Sequence, residues 1–408
     1  MKILFVSSLY STPSMPARSP GNARIVRAMR RYADCRVISP VPWYPRLMSE
    51  PMDALRPLLS APASEPDGDG SMTLHPRTYH IPGVARRLNA TLYAASIFKS
   101  VRDEVRRWRP DVVLAAFAYP DGTAMVALGA ILGVQVVVRA MGNDINEAAR
   151  HRGRRWQIAW ALRRASAVIA VSSHLARRIR RLGVPRRNIT IIPTGVDTGR
   201  FFPRDRAEAR RQLRLPNRPV LLVPTAHLSA EKGIELILHA LRAIKERVPI
   251  HAVLLGDGDR RQALVAHVRR LGLRERVRFD GFQPEARMPL YYSAVDLVCL
   301  ASSREGWPDV LMESFACGCP VVVSGVGGMP EIVDLTGGGL VVPPGEVAPL
   351  ADAIAQAFHR TWDRPAIARA MDAYPLENTA RRYVALCAAA ARRPRVFRHE
   401  RNGLSALT

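Results

Sequence analysis

Two glutamates in the second half of the sequence have the spacing and the setting of a binding site. Glu305 follows an apolar run, residues 295–300, which predicts a short buried strand. Glu313 lies in the helix-length segment 310–318, and another apolar run, residues 320–323, predicts the next strand. In a parallel sheet the first of these loops lies outside the carboxyl end of its strand, where open α/β sheets bind ligands. Two carboxylates beside a helix start, whose free N–H groups suit a phosphate, therefore indicate a site for a phosphate-containing ligand.

The string around these glutamates, EGWPDVLMESFACGCPVVVSGVGGMPEIV, resembles the motifs of a known enzyme family. Glu305 and Glu313 match the E-x7-E signature of retaining, nucleotide-sugar-dependent glycosyltransferases of the GT-B fold. The Glu-Gly-Trp-Pro opening and the Gly-Gly-Met-Pro-Glu string at 327–331 are similar to glycosyltransferase family 4, in its exopolysaccharide and teichuronic-acid group. The resemblance covers most of the chain. It implies an α/β protein with two Rossmann-like domains facing a cleft.

The resemblance also implies residues that bind the donor. Lys232 resembles the lysine of the family's phosphate-gripping loop, where a cation offsets the charge that grows on the leaving diphosphate. His227 stands where that loop carries an arginine. Glu305 would bind hydroxyls of the sugar, and Glu313 the two ribose hydroxyls. Backbone N–H groups of residues 307–311 would hold the β-phosphate. Glu305 and Lys232 are the predicted catalytic residues, and the predicted donor-binding residues are Gly21, His227, Lys232, Gly256, Phe282, Glu305, Gly306, Trp307, Val310, Leu311 and Glu313.

Lys232, Glu313 and the neighbouring Asp309 also have a structural alternative. Lys232 could be an ordinary exposed lysine at a helix start. Glu313 could be a solvated first-turn acid stabilised by the helix dipole. Asp309 stands where many relatives have asparagine, and it could cap the helix instead of lying near phosphates.

Candidate acceptor contacts follow two predicted strands of the first half. Tyr119 and Asp121 come after residues 111–116, and Asn143 and Asp144 come after residues 134–139. The second group resembles a Gly-Ser-Asp-Ile-Asn-type string of polysaccharide-assembling members, although Met141 replaces a frequent histidine. A structural role in a turn is the alternative for Asn143 and Asp144.

A metal site is not predicted. Asp257 and Asp259 form an Asp-x-Asp pair, which could suggest the metal-diphosphate site of the other major glycosyltransferase fold. Tandem α/β domains argue against it. We expect no catalytic metal and no cofactor, with the nucleotide sugar as substrate.

Positive charge is concentrated in the first half of the chain. The formal net charge is +25. Residues 1–200 contain 31 Lys and Arg and 13 Asp and Glu, whereas residues 201–408 contain 29 Lys and Arg and 22 Asp and Glu. This asymmetry predicts an anionic partner, for which we favour a membrane surface over nucleic acid, or else a solvated, arginine-rich surface. Arg152, Trp156, Trp160 and Arg163 share one predicted helix face, which suits a lipid headgroup interface. Tryptophans packed under the sheet are the alternative.

The sequence predicts a cytoplasmic protein, peripheral to the inner face of the cell membrane. The five cysteines show no zinc-ligand spacing, which favours reduced thiols. The opening MKILFVSSLY lacks the features of a signal peptide. No segment reaches the ~20 apolar residues of a bilayer span.

Alternating strand and helix patterns predict two doubly wound parallel sheets. We place the first domain at residues 1–192, a linker at 193–203 and the second domain at 204–375. A final helix, 376–391, crosses back to the first domain, as the family implies, and a basic tail follows at 392–408. Within the first domain we expect one strand over 35–41, a surface excursion over 42–71 and one strand over 72–81.

Transfer of a sugar to a hydroxyl of a glycan or lipid-linked acceptor, in cell-surface polysaccharide synthesis, is the predicted function. A nucleotide-sugar epimerase on the same fold is one alternative. A non-catalytic scaffold that binds sugars or membranes is the other, because His227, Met141 and Asp309 depart from the family's pattern.

Overall fold

Two compact units make up the described part of the chain. The computed structural model describes residues 1–16, 18–43, 60–79 and 89–393. Unit 1 contains Met1–Ala170, Ala176–Ile192 and the residues from Ala380 onwards. Unit 2 contains Val171–Leu175 and Pro193–Thr379. Of the predicted basic tail, residues 394–408 lie outside the described residues.

Within the described residues, unit 1 is built on an eight-stranded sheet that is parallel except at one edge. Its central strand buries Ile3, Leu4, Phe5 and Val6 completely, as expected for a strand covered on both faces. Across the sheet the strands are β10 (Ile189–Ile191), β9 (Ala167–Ala170), β8 (Gln135–Ala140), β7 (Val112–Ala116), β1 (Lys2–Val6), β2 (Asp34–Ile38), β5 (Met72–Leu74) and the antiparallel β4 (Ser64–Pro66).

The expectations for residues 35–81 are wrong in part. The strand predicted over 35–41 ends at Ile38, and Val41 begins a separate strand, β3 (Val41–Trp43). The strand predicted over 72–81 is divided into β5 and β6 (Arg77–Tyr79), and β3 pairs with β6 in a small second sheet. Prolines at 40 and 76 lack the N–H that would continue each ladder. Residues 44–59 and 80–88 lie outside the described residues.

The surface excursion predicted over 42–71 is wrong only in part where the chain is described, because most of residues 60–71 are exposed. Residues 64–66 form β4, and the acidic side chains of Glu65 and Asp67 are buried. Both carboxylates have partners that make burial tolerable. Glu65 accepts a hydrogen bond from Ser14 Oγ at 2.5 Å, and Asp67 pairs with Arg30 Nη1 at 2.8 Å.

Helices cover the central strands of unit 1, and the C-terminal helix is attached to it through a buried arginine. Arg139, at the carboxyl end of β8, is 1% exposed. Its Nε donates to Tyr383 Oη at 2.8 Å, and its Nη1 donates to Asn22 Oδ1 at 2.7 Å. The described helices of this unit are Pro20–Met29, Asn89–Trp108, Thr123–Leu132, Asn143–Asn146 and Arg152–Arg164, together with Ser173–Arg180 from Ala176 onwards and the C-terminal Leu376–Ala391 from Ala380 onwards.

Unit 2 is built on a six-stranded parallel sheet. In spatial order its strands are β13 (Val277–Gly281), β12 (His251–Asp257), β11 (Val220–His227), β14 (Leu297–Leu300), β15 (Val321–Ser324) and β16 (Gly339–Val342). Its helices are Arg206–Gln212, Ile234–Ile244, Arg261–Arg270, Met288–Ala294, Asp309–Ala316, Met329–Asp334, Val347–His359 and Arg364–Ala370. Chain order reverses between β11 and β14, and a ligand site is expected at such a switch point.

The prediction of two Rossmann-like α/β domains is confirmed by these two sheets. Among the described residues, every helix is too short or too polar to span a bilayer.

Replacing Tyr383 by phenylalanine tests the attachment of the C-terminal helix. The change leaves the buried Arg139 guanidinium without one of its acceptors, which costs about 1–3 kcal/mol. We expect the free energy of unfolding of unit 1 to fall by this amount in urea titrations followed by circular dichroism. The control is Tyr32→Phe, at a side chain 43% exposed, which should change it by less than about 0.5 kcal/mol. Equal effects of the two variants would contradict the assignment.

Candidate functional site

An ion pair joins the two loops that flank the switch point of unit 2. Lys232 follows β11, and Glu305 follows β14. The Nζ atom of Lys232 lies 2.8 Å from Oε1 of Glu305, with the two side chains 27% and 12% exposed. The structure therefore brings together the two residues predicted as catalytic. Both keep some access to solvent, as a ligand site requires.

A glycine allows the two loops to approach each other. Gly233 has a φ of +65°, and a Cβ at this position would overlap the carbonyl oxygen of Ala301. Only glycine adopts this backbone conformation without strain and leaves room for that carbonyl. Lys232, directly before Gly233, is thereby held beside the loop that carries Glu305.

Two further glycines, Gly327 and Gly328, pack on the loop that carries Glu305. Gly328 donates its N–H to the carbonyl oxygen of Gly306 at 3.0 Å. Gly327 has a φ of +61°, and a Cβ there would overlap the carbonyl oxygen of Glu305. The Gly-Gly-Met-Pro-Glu string thus supports the backbone of the predicted site, and Met329 begins the helix Met329–Asp334.

Two buried hydroxyl groups position the glutamates. Ser302 Oγ donates to Oε1 of Glu305 at 2.8 Å, so this oxygen receives both a hydroxyl and an ammonium donor. Tyr292 Oη donates to Oε2 of Glu313 at 3.0 Å. Neither Ser302 nor Tyr292 was predicted from the sequence. The position of Ser302, three residues before Glu305, was a weak signal, whereas nothing in the sequence pointed to Tyr292.

Glu313 is not a solvated first-turn acid. It lies in the second turn of the helix Asp309–Ala316 and is 6% exposed. A buried carboxylate needs partners, and Tyr292 supplies one of them. The alternative of a plain surface acid at this position is therefore wrong.

The start of this helix offers fewer N–H groups than predicted. Pro308 is the N-cap residue and has no N–H, and Leu311 donates its N–H to the carbonyl oxygen of Pro308 at 3.1 Å. The prediction that N–H groups throughout 307–311 bind phosphate is wrong at these two positions. Trp307 is 6% exposed and anchors the loop through a 3.0 Å hydrogen bond from its Nε1 to the carbonyl oxygen of Thr194. Asp309 and Val310 are the first two residues of the helix.

The other predicted donor residues of unit 2 lie at the same edge of its sheet. His227 is the last residue of β11 and is exposed. Gly256, in β12, has a φ of +105°, and a Cβ there would overlap the carbonyl oxygen of Thr225. Phe282, directly after β13, is 50% exposed. Their roles in donor binding stay predictions.

Both predicted acceptor-side aspartates are buried, and their carboxylates accept hydrogen bonds from other groups of unit 1. Asp144 accepts from the N–H groups of Ala118 at 2.6 Å and Gly142 at 2.8 Å, and burial raises its pKa. Asp121 accepts from the N–H of Ser8 at 2.8 Å and from the hydroxyl of Tyr93. These contacts give both residues a structural role, which the sequence had left open for Asp144 and had not indicated for Asp121.

The other candidates in unit 1 are more accessible. Asn143 is exposed, and Tyr119 is partly exposed under the guanidinium of Arg154, which lies 5.4 Å from the centre of its ring. Gly21 is the second residue of the helix Pro20–Met29. Their contacts with a ligand stay predictions.

In the described part of the chain, no three or more His, Cys, Asp or Glu side chains converge on one point. Asp257 and Asp259 are both exposed. The expectation that no metal or cofactor takes part in the reaction stays a prediction.

Comparison with known sequences gives matches along most of the chain. Residues 58–200 match the family model described as Glycosyltransferase Family 4, and residues 205–371 match the model described as Glycosyl transferases group 1. A teichuronic acid biosynthesis glycosyltransferase of Bacillus subtilis, TuaC, is 26% identical over 90% of this chain and 92% of that protein. A colanic acid biosynthesis glycosyltransferase of Escherichia coli, WcaL, is 28% identical over 71% of this chain and 74% of that protein.

Solved structures share the fold over nearly the whole length. Sucrose-phosphate synthase of Thermosynechococcus elongatus aligns with a TM-score of 0.74 at 21% identity, over 95% of this chain and 100% of that chain. HepE of Anabaena, solved in complex with UDP, aligns with a TM-score of 0.70 at 21% identity, over the same shares of the two chains.

Replacing Gly327 by alanine tests the support of the Glu305 loop. The added Cβ displaces the backbone of Glu305, and overpacking of this kind costs about 1–3 kcal/mol. The matched control is Gly337→Ala, because Gly337 has the same φ of +61° with nothing within 4 Å of a Cβ. Thermal unfolding should show a clearly larger fall in Tm for Gly327→Ala than for Gly337→Ala. Equal falls would mean that backbone strain alone, and not contact with Glu305, requires the glycine.

Replacing Asp121 by asparagine tests the buried carboxyl of unit 1. Burial raises the pKa of Asp121 to about 7, above the value of about 3.9 for an exposed carboxyl. The folded state therefore holds this proton more tightly, and the stability that Asp121 contributes falls as the pH rises from about 4 to about 7.

We expect the Tm of Asp121→Asn, relative to the wild type, to increase over this pH interval. The control is Asp34→Asn, at an exposed aspartate, and the change for Asp121→Asn is judged against it. A constant difference between Asp121→Asn and the wild type would contradict the assignment.

Proposed function

This chain belongs to the group 1 and family 4 glycosyltransferases, and from that premise we propose that it moves a sugar from a nucleotide diphosphate to a hydroxyl group. The acceptor is a glycan or a lipid-linked glycan in cell-surface polysaccharide synthesis, and the configuration at the anomeric carbon is retained. The resemblance based on the E-x7-E signature is confirmed by the two family models. The GT-B fold is confirmed by the solved structures that align over both units.

The observation that carries the proposal is the Lys232–Glu305 pair at the switch point of unit 2. A donor diphosphate placed beside Lys232 replaces or shares the contact of this ammonium with Glu305. The cation then balances the negative charge that develops as the bond from the anomeric carbon to the diphosphate breaks. The acceptor oxygen forms the new bond on the same face, and its proton passes to the departing diphosphate. Glu305, held by Ser302, binds hydroxyls of the sugar.

The nucleoside part of the donor is assigned to Glu313. Vicinal ribose hydroxyls are a natural partner for a carboxylate. Tyr292 holds one oxygen of Glu313, which fixes the orientation of the group before the donor arrives. Such pre-organisation lowers the entropic cost of binding.

The names of the relatives support a surface polysaccharide as product and a nucleoside diphosphate as leaving group. TuaC and WcaL are named for teichuronic acid and colanic acid biosynthesis. HepE has been solved with UDP-glucose as well as with UDP. UDP is therefore the first nucleotide to test, followed by GDP. The epimerase and scaffold alternatives have no comparable observation in their favour.

We also propose that the protein acts in the cytoplasm. All five cysteines are free, and all are buried. Cys317 and Cys319 are two residues apart and remain unpaired with each other, in keeping with a reducing compartment. Nucleotide sugar and acceptor are the only reactants in this proposal, without a metal or other cofactor.

The decisive experiment compares Lys232→Ala and Glu305→Ala with Lys245→Ala. Lys245 follows the helix Ile234–Ile244 at its far end, so its loss matches the charge change of Lys232→Ala without touching the site. We expect kcat/KM for sugar transfer to fall roughly 100- to 1,000-fold in the two site variants, as for loss of one stabilising group in other enzymes. Lys245→Ala should match the wild type.

Binding is measured separately by the rise in Tm with UDP or GDP, since a ligand that binds only the folded state raises it. Full transfer activity in both Lys232→Ala and Glu305→Ala would rule out the proposed site. Conversion of the donor sugar without release, in the absence of acceptor, would indicate an epimerase.

A further inference from the structure

We propose that the exposed face of the helix Arg152–Arg164 docks the protein on an anionic phospholipid bilayer. The docking face is defined by Arg152, Arg155, Trp156 and Arg163. The physiological role rests on the proposed use of a lipid-linked acceptor, whereas the surface itself is argued from its own residues. At 100° per residue, the four side chains fall within about 100° of the helix circumference, and so they form one stripe.

Trp156 is the apolar anchor of this face. It is 64% exposed, so the alternative that it packs under the sheet is wrong. A tryptophan of this size is seldom left in water without a partner, and its amphipathic ring is favoured at the headgroup level of a bilayer. The opposite side of the same helix is fully buried at Ile158, Ala161 and Leu162, which fixes the outward direction of Trp156.

The arginines of the docking face are cations without acidic partners. Arg152, Arg155 and Arg163 are exposed, and none of them forms an ion pair with any described residue. The sequence gives a simple reason, since residues 151–196 contain 11 arginines and no Asp or Glu. Guanidinium groups bind phosphate oxygens with two parallel hydrogen bonds, which suits them to phospholipid headgroups.

A neighbouring loop extends the positive surface. The side chain of Arg163 reaches Gly183, where a Cβ would lie 3.4 Å from its Nη1 atom. The loop that contains Gly183 also carries exposed arginines at 181, 186 and 187. Helix and loop therefore present one continuous basic area, large enough to contact several lipid headgroups.

The position of the docking face in unit 1 favours a membrane over nucleic acid. Arg154, two residues before Trp156, lies over the ring of Tyr119, in the loop that follows β7. The Trp156 end of the helix is thus beside the carboxyl ends of the strands, where an α/β sheet binds its ligand. A bilayer at this face would present lipid-linked acceptors next to that loop, whereas bound nucleic acid would have no part in the reaction.

The size of the effect follows from membrane electrostatics. A basic residue near an anionic membrane contributes about fivefold in affinity, so three arginines contribute roughly 100-fold. The interaction should weaken as salt is raised, because the attraction is screened over about 10 Å at 0.1 M ionic strength.

The test measures co-sedimentation of the full-length protein with vesicles of phosphatidylcholine, with and without phosphatidylglycerol. Arg152→Gln/Arg155→Gln/Arg163→Gln is compared with Arg242→Gln/Arg269→Gln/Arg274→Gln, an equal charge change at exposed arginines of unit 2. Trp156→Ala is compared with Trp43→Ala, at another exposed tryptophan of unit 1. We expect binding only with phosphatidylglycerol, reduced roughly 100-fold by the first triple variant and clearly by Trp156→Ala, while both controls bind like the wild type.

Three results would overturn the docking face: no binding to phosphatidylglycerol vesicles, equal loss in both triple variants, or binding to DNA that exceeds binding to the vesicles. The rise in Tm with UDP or GDP is recorded for every variant, so loss of folding is recognised at once. Absence of sugar transfer with intact vesicle binding would refute the proposed function and leave the docking face standing. Intact transfer to a soluble acceptor without vesicle binding would refute the docking face and leave the proposed function standing.

Discussion

The close approach of backbone loops at the carboxyl edge of the second sheet is the constraint on which the candidate site depends. At Gly233 and Gly327 the neighbouring carbonyl oxygens occupy the space of a side chain. These contacts fix the backbone on both sides of Glu305, so the ion pair with Lys232 forms between rigid elements. A site held in this way needs little rearrangement to meet a charged ligand, which is what electrostatic stabilisation of a leaving group requires.

Carboxylates serve different purposes in the two units. In unit 2, Glu305 and Glu313 are each oriented by a hydroxyl group from a neighbouring element. In unit 1, Asp121 and Asp144 accept hydrogen bonds from their own scaffold and hold the loops after β1, β7 and β8. The exposed Asn143 is therefore a better candidate for an acceptor contact than either buried aspartate.

How much the sequence predicts depends on the range of the interactions involved. The strands predicted at 111–116 and 134–139 were found within one residue of those bounds, because hydrophobic runs between turn residues are local signals. Lys232 and Glu305 were selected by the family resemblance, and their meeting agrees with the rule that ligand-binding loops of a parallel sheet lie at one edge. The hydroxyl of Tyr292 could not be predicted, since its helix and that of Glu313 meet only in the tertiary structure. The sequence left the exposure of Trp156 open for the same reason, since the packing of its helix is also decided in the tertiary structure.

Burial of every cysteine leaves the protein without an accessible native thiol. Burial also raises the pKa of these thiols, to about 12 for Cys35, so the reactive thiolate is scarce at neutral pH. A single cysteine introduced at a surface position would therefore react with a maleimide dye or spin label far faster than the native ones. A spectroscopic reporter can therefore be attached to either unit without first replacing the native cysteines. The cores that enclose those cysteines then stay intact.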